Sequence, residues 1–147
     1  MSPTGGALPK KILVAVDGSE ESARATELSI SLAKATHAEL LGLHIIHLPE
    51  YVSDVVRSRM REELALKGEA SLQGLVRIAT AEGLKLTTRV LDTTDSVVNA
   101  ICEFASGEGA ELVVLGTRGT GGVAKLMLGS VAIGVARTAK CPVLVVR

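Results

Sequence analysis

The stretch that decides the fold runs from Ala110 to Ser130 and reads AELVVLGTRGTGGVAKLMLGS. Its first part, up to Leu115, is apolar apart from Glu111 and predicts a buried strand. The residues that follow, from Ser130 to Arg137, are mostly apolar and predict a helix with Ser130 as its N-cap. A buried strand that leads through a glycine-rich loop into a helix is typical of a parallel α/β sheet.

The loop in this stretch has the features of a phosphate-binding site. Free N–H groups at a helix start, together with the helix dipole, present about half a positive charge to an anion. Glycines let the backbone come close to such a ligand. The spacing is G-x2-G-x9-G-S, formed by Gly116, Gly119, Gly129 and Ser130. Turn chemistry alone would explain an isolated pair of glycines, but the strand and the helix on either side favour a phosphate site.

Two better-known phosphate motifs do not fit these residues. A P-loop needs a lysine directly after its second glycine, and the residue after Gly121 is Gly122. A dinucleotide fingerprint needs a following strand that ends in an acid, and the strand predicted after Pro142 contains none. The loop is therefore neither a Walker A site nor a dinucleotide fingerprint.

Strands and helices alternate five times along the chain, which predicts a single α/β domain with a doubly wound parallel sheet. We expect the strand order 3-2-1-4-5 with helices on both faces over residues 10–147, and a flexible segment over residues 1–9. In that order the third and fifth strands lie at the edges, and the winding reverses between the first and the fourth. Ligands bind beside this reversal, so Asp17 and Gly116 are expected to face each other across one crevice.

The sequence also predicts details of the helices. Ser19 is the expected N-cap of the first helix. The buried face of that helix is expected to carry Ala25, Leu28, Leu32 and Ala35. The second helix, within residues 53–82, is predicted to break near Gly68. Asp95 or Ser96 is the expected N-cap of the third helix.

Composition limits what the chain can bind. Of its 147 residues 47% are hydrophobic and only 1% aromatic, and the formal net charge is zero. Nucleic acid is usually held by base stacking and by cations, so this chain is poorly suited to it. The N-terminal residues lack a signal-peptide pattern, and the longest apolar runs have only strand length. We therefore expect a cytoplasmic protein without a nucleic-acid or membrane partner, with Cys102 and Cys141 as reduced packing residues.

The chain resembles the nucleotide-binding branch of the universal stress protein family over nearly its whole length. The resemblance is carried by the glycine loop and by VAVDGS, residues 14–19, which is similar to the family's first strand. It implies that Asp17 contacts the nucleotide, although Asp-Gly-Ser is also a good turn and helix-entry sequence. It implies that Ile45 brackets adenine, which apolar burial alone would equally explain. The neighbouring His44 is expected to be a hydrogen-bonded core residue.

The same resemblance implies ATP or AMP as the ligand, with the phosphates at the start of the last helix. The helix N–H groups, the loop glycines and the Ser130 hydroxyl would hold them. Arg118 and Lys125 could add positive charge, although a loop cation is by default solvated. The residues assigned to the nucleotide are Ala15, Val16, Asp17, Ile45, Gly116, Arg118, Gly119, Gly129, Ser130, Val131 and Ala132.

The sequence departs from the family pattern after the third strand, where Asp92 replaces a glycine and Thr94 a proline. Two carboxylates near a triphosphate, Asp92 and Asp95, would either repel it or help to hold a magnesium ion that comes with the nucleotide. An ordinary N-cap role for Asp95 is the simpler interpretation.

Three functions fit this sequence. The first is a non-catalytic ATP- or AMP-binding module acting in stress responses, because we find no catalytic residue beside the loop that would drive phosphoryl transfer. The second is a slow nucleotide hydrolase, for which Asp92 is the only suggestive carboxylate. The third is a dimeric interaction protein with a non-functional pocket. The apolar last strand, residues 143–146, lies at a predicted sheet edge and favours a two-fold homodimer formed through it.

Overall fold

The computed structural model describes residues 7–117 and 128–147. These residues form a parallel sheet of five strands in the order β3-β2-β1-β4-β5, which confirms the predicted order. The strands are β1 (Lys11–Ala15), β2 (Glu39–His47), β3 (Leu86–Thr93), β4 (Leu112–Gly116) and β5 (Val143–Val146). The helices are α1 (Glu20–Thr36), α2 (Asp54–Ala81), α3 (Val97–Glu108) and α4 (Ser130–Thr138). Residues 1–6 of the predicted flexible segment lie outside the described residues.

The sheet divides the core into two layers, because successive side chains of a strand point to opposite faces. Ile12 and Val14 of β1 pack with α1 and α2, on what we call the α1/α2 face. Leu13 of β1 and Leu43 of β2 pack with α3 and α4, on the α3/α4 face. Both faces of the central strands are thus covered, which explains their nearly continuous apolar sequences.

Helix α1 begins where the sequence predicts, but it buries a different face. The Ser19 hydroxyl accepts a hydrogen bond from Ser22 N–H over 3.1 Å, which confirms Ser19 as the N-cap. Of the predicted face Ala25 is buried, whereas Leu28 is 37% exposed and Ala35 is exposed. The helix instead buries small polar residues such as Ser29. Ser29 is buried at low cost because its hydroxyl donates to Ala25 O over 2.7 Å within the same helix.

Helix α2 runs without a break through Gly68, contrary to the prediction. A Cβ atom at Gly68 would lie 2.6 Å from Cδ2 of His44, so a side chain there would require the His44 ring to shift. This glycine allows α2 to pack closely on β2. Glycine lowers helix propensity, but the close packing of α2 on β2 outweighs this cost.

Cys102 and Cys141 are free thiols whose side chains belong to the apolar cluster of the α3/α4 face, as expected for packing residues. Burial raises the pKa of both thiols, which keeps them protonated. Over residues 7–117 and 128–147, no helix has the length and apolar character needed to cross a membrane.

Candidate functional site

The carboxyl ends of β1 and β4 form the edge of the sheet where the predicted ligand residues lie. Val14 pairs with Val114, so Asp17 and Thr117, each three residues later, leave neighbouring strands at the same level. The start of α4 returns to this edge, because Gly129 N–H donates to the carbonyl oxygen of Thr117 over 2.6 Å. The fold therefore brings Asp17, the end of β4 and the first turn of α4 to one edge of the sheet.

Asp17 forms the turn that leads from β1 into α1. Its Oδ1 atom accepts a hydrogen bond from Ser19 N–H over 2.9 Å, and the residue is exposed. Gly18 has a φ angle of 86°, a conformation that glycine adopts without strain. The turn interpretation of Asp-Gly-Ser is therefore correct. It is compatible with ligand binding, since a carboxylate accepts several hydrogen bonds and its side chain reaches solvent.

Val16, the residue before Asp17, has both of its backbone polar groups hydrogen-bonded. Its N–H donates to Leu43 O over 2.8 Å. Its carbonyl lies 2.7 Å from Nδ1 of His44, and a carbonyl can only accept, so this ring nitrogen carries the proton. This bond confirms that His44 is hydrogen-bonded as predicted, but the residue is only partly buried and does not belong to the core. The Val16 side chain packs on the α1/α2 face, so at the ligand edge Val16 can contribute only backbone whose N–H and C=O are already hydrogen-bonded.

An apolar wall forms on the α3/α4 face at the same edge. Ala15 ends β1, Ile45 lies near the end of β2, and Val131 and Ala132 lie in the first turn of α4. All four side chains belong to one hydrophobic cluster. Ala132 is buried, whereas the other three are only partly buried and present apolar surface near the edge. Four of the residues assigned from sequence thus lie on the same face of the sheet near this edge.

Gly116 at the end of β4 has a structural reason to be glycine. A Cβ atom there would lie 2.7 Å from Cβ of Glu21 and 2.9 Å from its carbonyl carbon. The first turn of α1 therefore packs directly on this strand end. The Glu21 side chain is only 7% exposed, and its Oε2 atom lies 3.9 Å from Nη2 of Arg24. Close approach to a ligand is not needed to explain this residue.

The start of α4 differs by one residue from the prediction. Gly129 is the N-cap and Ser130 the first helical residue, because Ile133 N–H donates to Gly129 O over 3.1 Å. No side chain caps this helix by a hydrogen bond. The Gly129 N–H is engaged by Thr117, so the helix N–H groups left for a ligand are those of Ser130, Val131 and Ala132.

Asp92 belongs to the other face of the sheet. Its Oδ2 accepts a hydrogen bond from Nε of Arg61 in α2 over 2.9 Å, whereas the preceding Leu91 packs on the α3/α4 face. The structure therefore does not bring Asp92 to the apolar wall. The described residues contain no group of three or more His, Cys, Asp or Glu side chains that could hold a metal ion.

The suggestion that Asp95 caps α3 is wrong. Ser96 is the N-cap, and its hydroxyl accepts from Asn99 N–H over 3.1 Å. Asp95 lies one residue earlier, where its own N–H donates to Oγ1 of Thr93 over 3.1 Å. Only the Ser96 oxygen is therefore placed to satisfy an N–H of the first helical turn.

A sequence model of the universal stress protein family matches residues 9–147. The chain belongs to the universal stress protein family. A universal stress protein of Methanocaldococcus jannaschii is 33% identical over 150 residues, which cover 97% of this chain and 85% of that relative. A universal stress protein of Thermus aquaticus is 37% identical over 142 residues, with coverage of 94% and 98%.

Solved structures of universal stress proteins are similar over nearly the whole chain. One in complex with cAMP has a TM-score of 0.71 and 27% identity, and the match covers 95% of this chain and 98% of that one. An Archaeoglobus fulgidus protein in complex with dAMP has a TM-score of 0.68 at 21% identity, with coverage of 95% and 99%. The protein MJ0577 has a TM-score of 0.84 at 23% identity, with coverage of 95% and 96%. Because the last two structures are only 21% and 23% identical to this chain, their similarity supports the fold alone.

One residue of the edge in this universal stress protein was missed by sequence reasoning. Thr117 is 8% exposed, and its N–H donates to Val146 O of β5 over 2.7 Å while its carbonyl accepts from Gly129. It thus ties together β4, β5 and the start of α4. Its only signal in the sequence is its place directly after the strand. Arg118, Gly119 and Lys125 lie outside the described residues.

Proposed function

We propose that this universal stress protein binds an adenine nucleotide, ATP or AMP, at the carboxyl edge of its sheet. The observation that carries the proposal is the start of α4, a helix end without a side-chain cap that lies beside an apolar wall. A ligand with an anionic and an apolar part fits this pair of surfaces. The relative that is 27% identical and was solved in complex with cAMP supports an adenine nucleotide as that ligand.

The phosphates bind at the first turn of α4. The N–H groups of Ser130, Val131 and Ala132 point along the helix axis toward the ligand, and the helix dipole adds about half a positive charge. The Ser130 side chain is exposed and supplies a further donor. By resemblance, Gly119 and Arg118 of the loop complete this phosphate site, and magnesium enters with the phosphates.

The adenosine lies against β1 and β2. Asp17 accepts from a ribose hydroxyl or from the adenine amino group, and the backbone at Val16 lines the ligand beside it. Ala15 and Ile45 contact the base as aliphatic walls. Of the two aromatic residues of the chain, Tyr51 is exposed, and Phe104 of α3 packs in the same cluster with the Arg89 guanidinium over its ring. Binding of the base therefore rests on apolar burial and hydrogen bonds, without ring stacking.

We infer a regulatory module of the cytoplasm acting in stress responses, with slow hydrolysis at most. Phosphoryl transfer needs a positioned nucleophile and stabilisation of developing charge. Asp92, the carboxylate considered for hydrolysis, is paired with Arg61 on the opposite face of the sheet. This pairing favours the binding module over the hydrolase.

Calorimetric titration with ATP, ADP, AMP and cAMP, each with and without magnesium, tests the nucleotide proposal. We expect micromolar binding of at least one adenine nucleotide. Ser130→Ala should weaken it by about 0.5–1.5 kcal/mol, the net range for a single hydrogen bond. The free energy of unfolding of this variant should equal that of the wild type, since the Ser130 side chain does not cap α4. Absence of binding by the wild type up to millimolar nucleotide would leave the dimeric interaction protein as the better account.

We also propose a two-fold homodimer through β5. Within the described residues β5 pairs only with β4, and its four residues are all apolar and only partly buried. An apolar strand edge of this kind invites pairing with another strand. The antiparallel pairing of two copies of β5 would close the assembly symmetrically.

Val145→Lys is expected to shift the protein from dimer to monomer. A lysine on each β5 would place like charges at the paired strands and remove apolar surface from the interface. Light scattering should give twice the 15.2 kDa chain mass for the wild type and a lower mass for the variant. Thr87→Lys, on the opposite edge strand β3, is the matched control and should remain dimeric. A wild type that is monomeric at tens of micromolar would contradict the proposal.

A further inference from the structure

An open groove lies along β3, the edge strand on the far side of the sheet from β5. Its volume is about 690 Å³. Residues 90–93 of β3 form one wall, and residues of α3 and of the turn before it form the other. The apolar side chains of Leu91 and Phe104 lie within it. None of the four residues of the apolar wall lines this groove, although Leu91 of the groove pairs with Ile45 of that wall.

The backbone of β3 is open toward this groove. Leu40 N–H donates to Lys85 O and Leu48 N–H donates to Thr93 O, over 2.9 and 2.8 Å. In a parallel ladder alternate residues bond to the same neighbour, so the residues between these point away from β2. They are Leu86, Thr88, Val90 and Asp92. Within the described residues β3 pairs only with β2, so these N–H and C=O groups face an open edge.

The groove is lined by acids. Its described lining includes the acids Asp95, Glu103 and Glu108 but no Lys, Arg or His. Asp92 also borders the groove, but its carboxylate is paired with Arg61 of α2 on the other face of the sheet. Two cations lie beside it: Arg61 pairs with Asp92, and the guanidinium of Arg89 lies 5.9 Å from the centre of the Phe104 ring. Asp95 and Glu103 are exposed, and each belongs to the turn or helix opposite the open edge. The surface that faces an added strand is therefore negative.

We propose that this groove binds an extended, basic segment of a partner protein, which adds to the sheet as a strand next to β3. Backbone hydrogen bonds along the open edge supply affinity, and side chains of alternate residues supply specificity. Lysine or arginine side chains on the α3 side of the added strand face Asp95 and Glu103. The apolar side chains of the alternate residues then point to the α1/α2 face, where Val90 of β3 packs. A second copy of this chain is the poorer occupant, because two-fold pairing through β3 would bring the two acidic walls together.

A synthetic peptide of about nine residues, with lysine and valine in alternation, is the direct probe because it matches the length of one strand. Fluorescence anisotropy should show that it binds at least about tenfold more tightly than the same peptide with glutamate in place of lysine. Replacing its valines with proline should abolish binding, since proline cannot donate to a ladder. The bound peptide should slow hydrogen exchange at the amides of Thr88 and Val90.

The double variant Asp95→Lys, Glu103→Lys should weaken binding of the basic peptide about tenfold. The matched control is the double variant Glu62→Lys, Glu63→Lys. It changes the net charge by the same amount as the first double variant, but on the exposed surface of α2. Equal affinity for the basic and acidic peptides, or an equal loss in the control variant, would overturn the proposal. Slow exchange at Thr88 and Val90 in the free protein would also overturn it, because a second copy or another segment would then already cover the edge.

Discussion

Gly116→Ala is expected to lower the free energy of unfolding by about 2–3 kcal/mol, in the upper part of the range for overpacked sites. The new Cβ would lie 2.7 Å from Cβ of Glu21 and 2.9 Å from its carbonyl carbon. The second of these atoms is backbone, so relief requires a shift of α1 relative to β4. Urea unfolding followed by circular dichroism measures the loss of free energy. Thermal unfolding should show the same loss as a drop in Tm of about 5–10 °C for a domain of this size.

Gly107→Ala is the matched control for this substitution. Gly107 lies inside α3, and a Cβ there would have no heavy atom within 4 Å. Alanine is a better helix former, so this variant should gain about 0.5–1 kcal/mol of stability. A loss of less than about 0.5 kcal/mol for Gly116→Ala, within the range of ordinary surface substitutions, would show that α1 does not pack on the end of β4 as described.

Ser130→Asp is expected to reduce affinity for ATP about 100-fold while the protein becomes no less stable. Ser130 is exposed at the first position of α4, where a carboxylate interacts favourably with the helix dipole by about 0.3–1 kcal/mol. The same carboxylate would occupy the place of the phosphates. Two unit charges about 4 Å apart repel by about 4 kcal/mol at the effective dielectric near a protein surface, and salt reduces this.

Thr138→Asp provides the control for net charge. It places the same charge at the exposed C-terminal end of the same nine-residue helix, about 12 Å from Ser130. This distance exceeds the screening length at physiological salt, so ATP affinity should change little. Calorimetry measures affinity, and thermal unfolding measures stability. If Ser130→Asp binds ATP as tightly as the wild type, the phosphates do not lie at the start of α4.

The sheet could be predicted from the sequence because its signals are local. Apolar runs such as residues 112–115 mark strands covered on both faces, and the alternation along β3 marks an edge. Strand order then follows from the right-handed crossover between parallel strands, which leaves few arrangements to consider. The end of β1 at Asp17 and the end of β4 at Gly116 can therefore be assigned to one edge from the sequence alone.

The glycines show what local reasoning cannot reach. Gly68 resembles a helix breaker and Gly116 a phosphate-loop residue, yet both are glycine because a distant element packs on them: His44 in one case and α1 in the other. Such reasons depend on contacts between residues far apart in the chain. The buried face of α1 was missed for a related cause, since Ser29 is polar by type but satisfies its hydroxyl within the helix.

The N-caps show a smaller error of the same origin. A cap is decided by which oxygen reaches an N–H of the first turn, and neighbouring residues of suitable type compete for it. At α3 the oxygen of Ser96 makes this bond rather than that of Asp95. At α4 the N-cap is Gly129, which Thr117 holds through a backbone hydrogen bond that no sequence motif encodes.

The most direct test of the nucleotide site is an NMR titration of ¹⁵N-labelled protein with ATP. If the phosphates bind at the first turn of α4 and the adenosine beside β1, the largest amide shifts will occur at Ser130, Val131 and Ala132, with a further shift at Asp17. If these four amides stay unmoved at millimolar ATP, or the shifts concentrate at the β3 groove instead, the account of this edge as an adenine-nucleotide site is wrong.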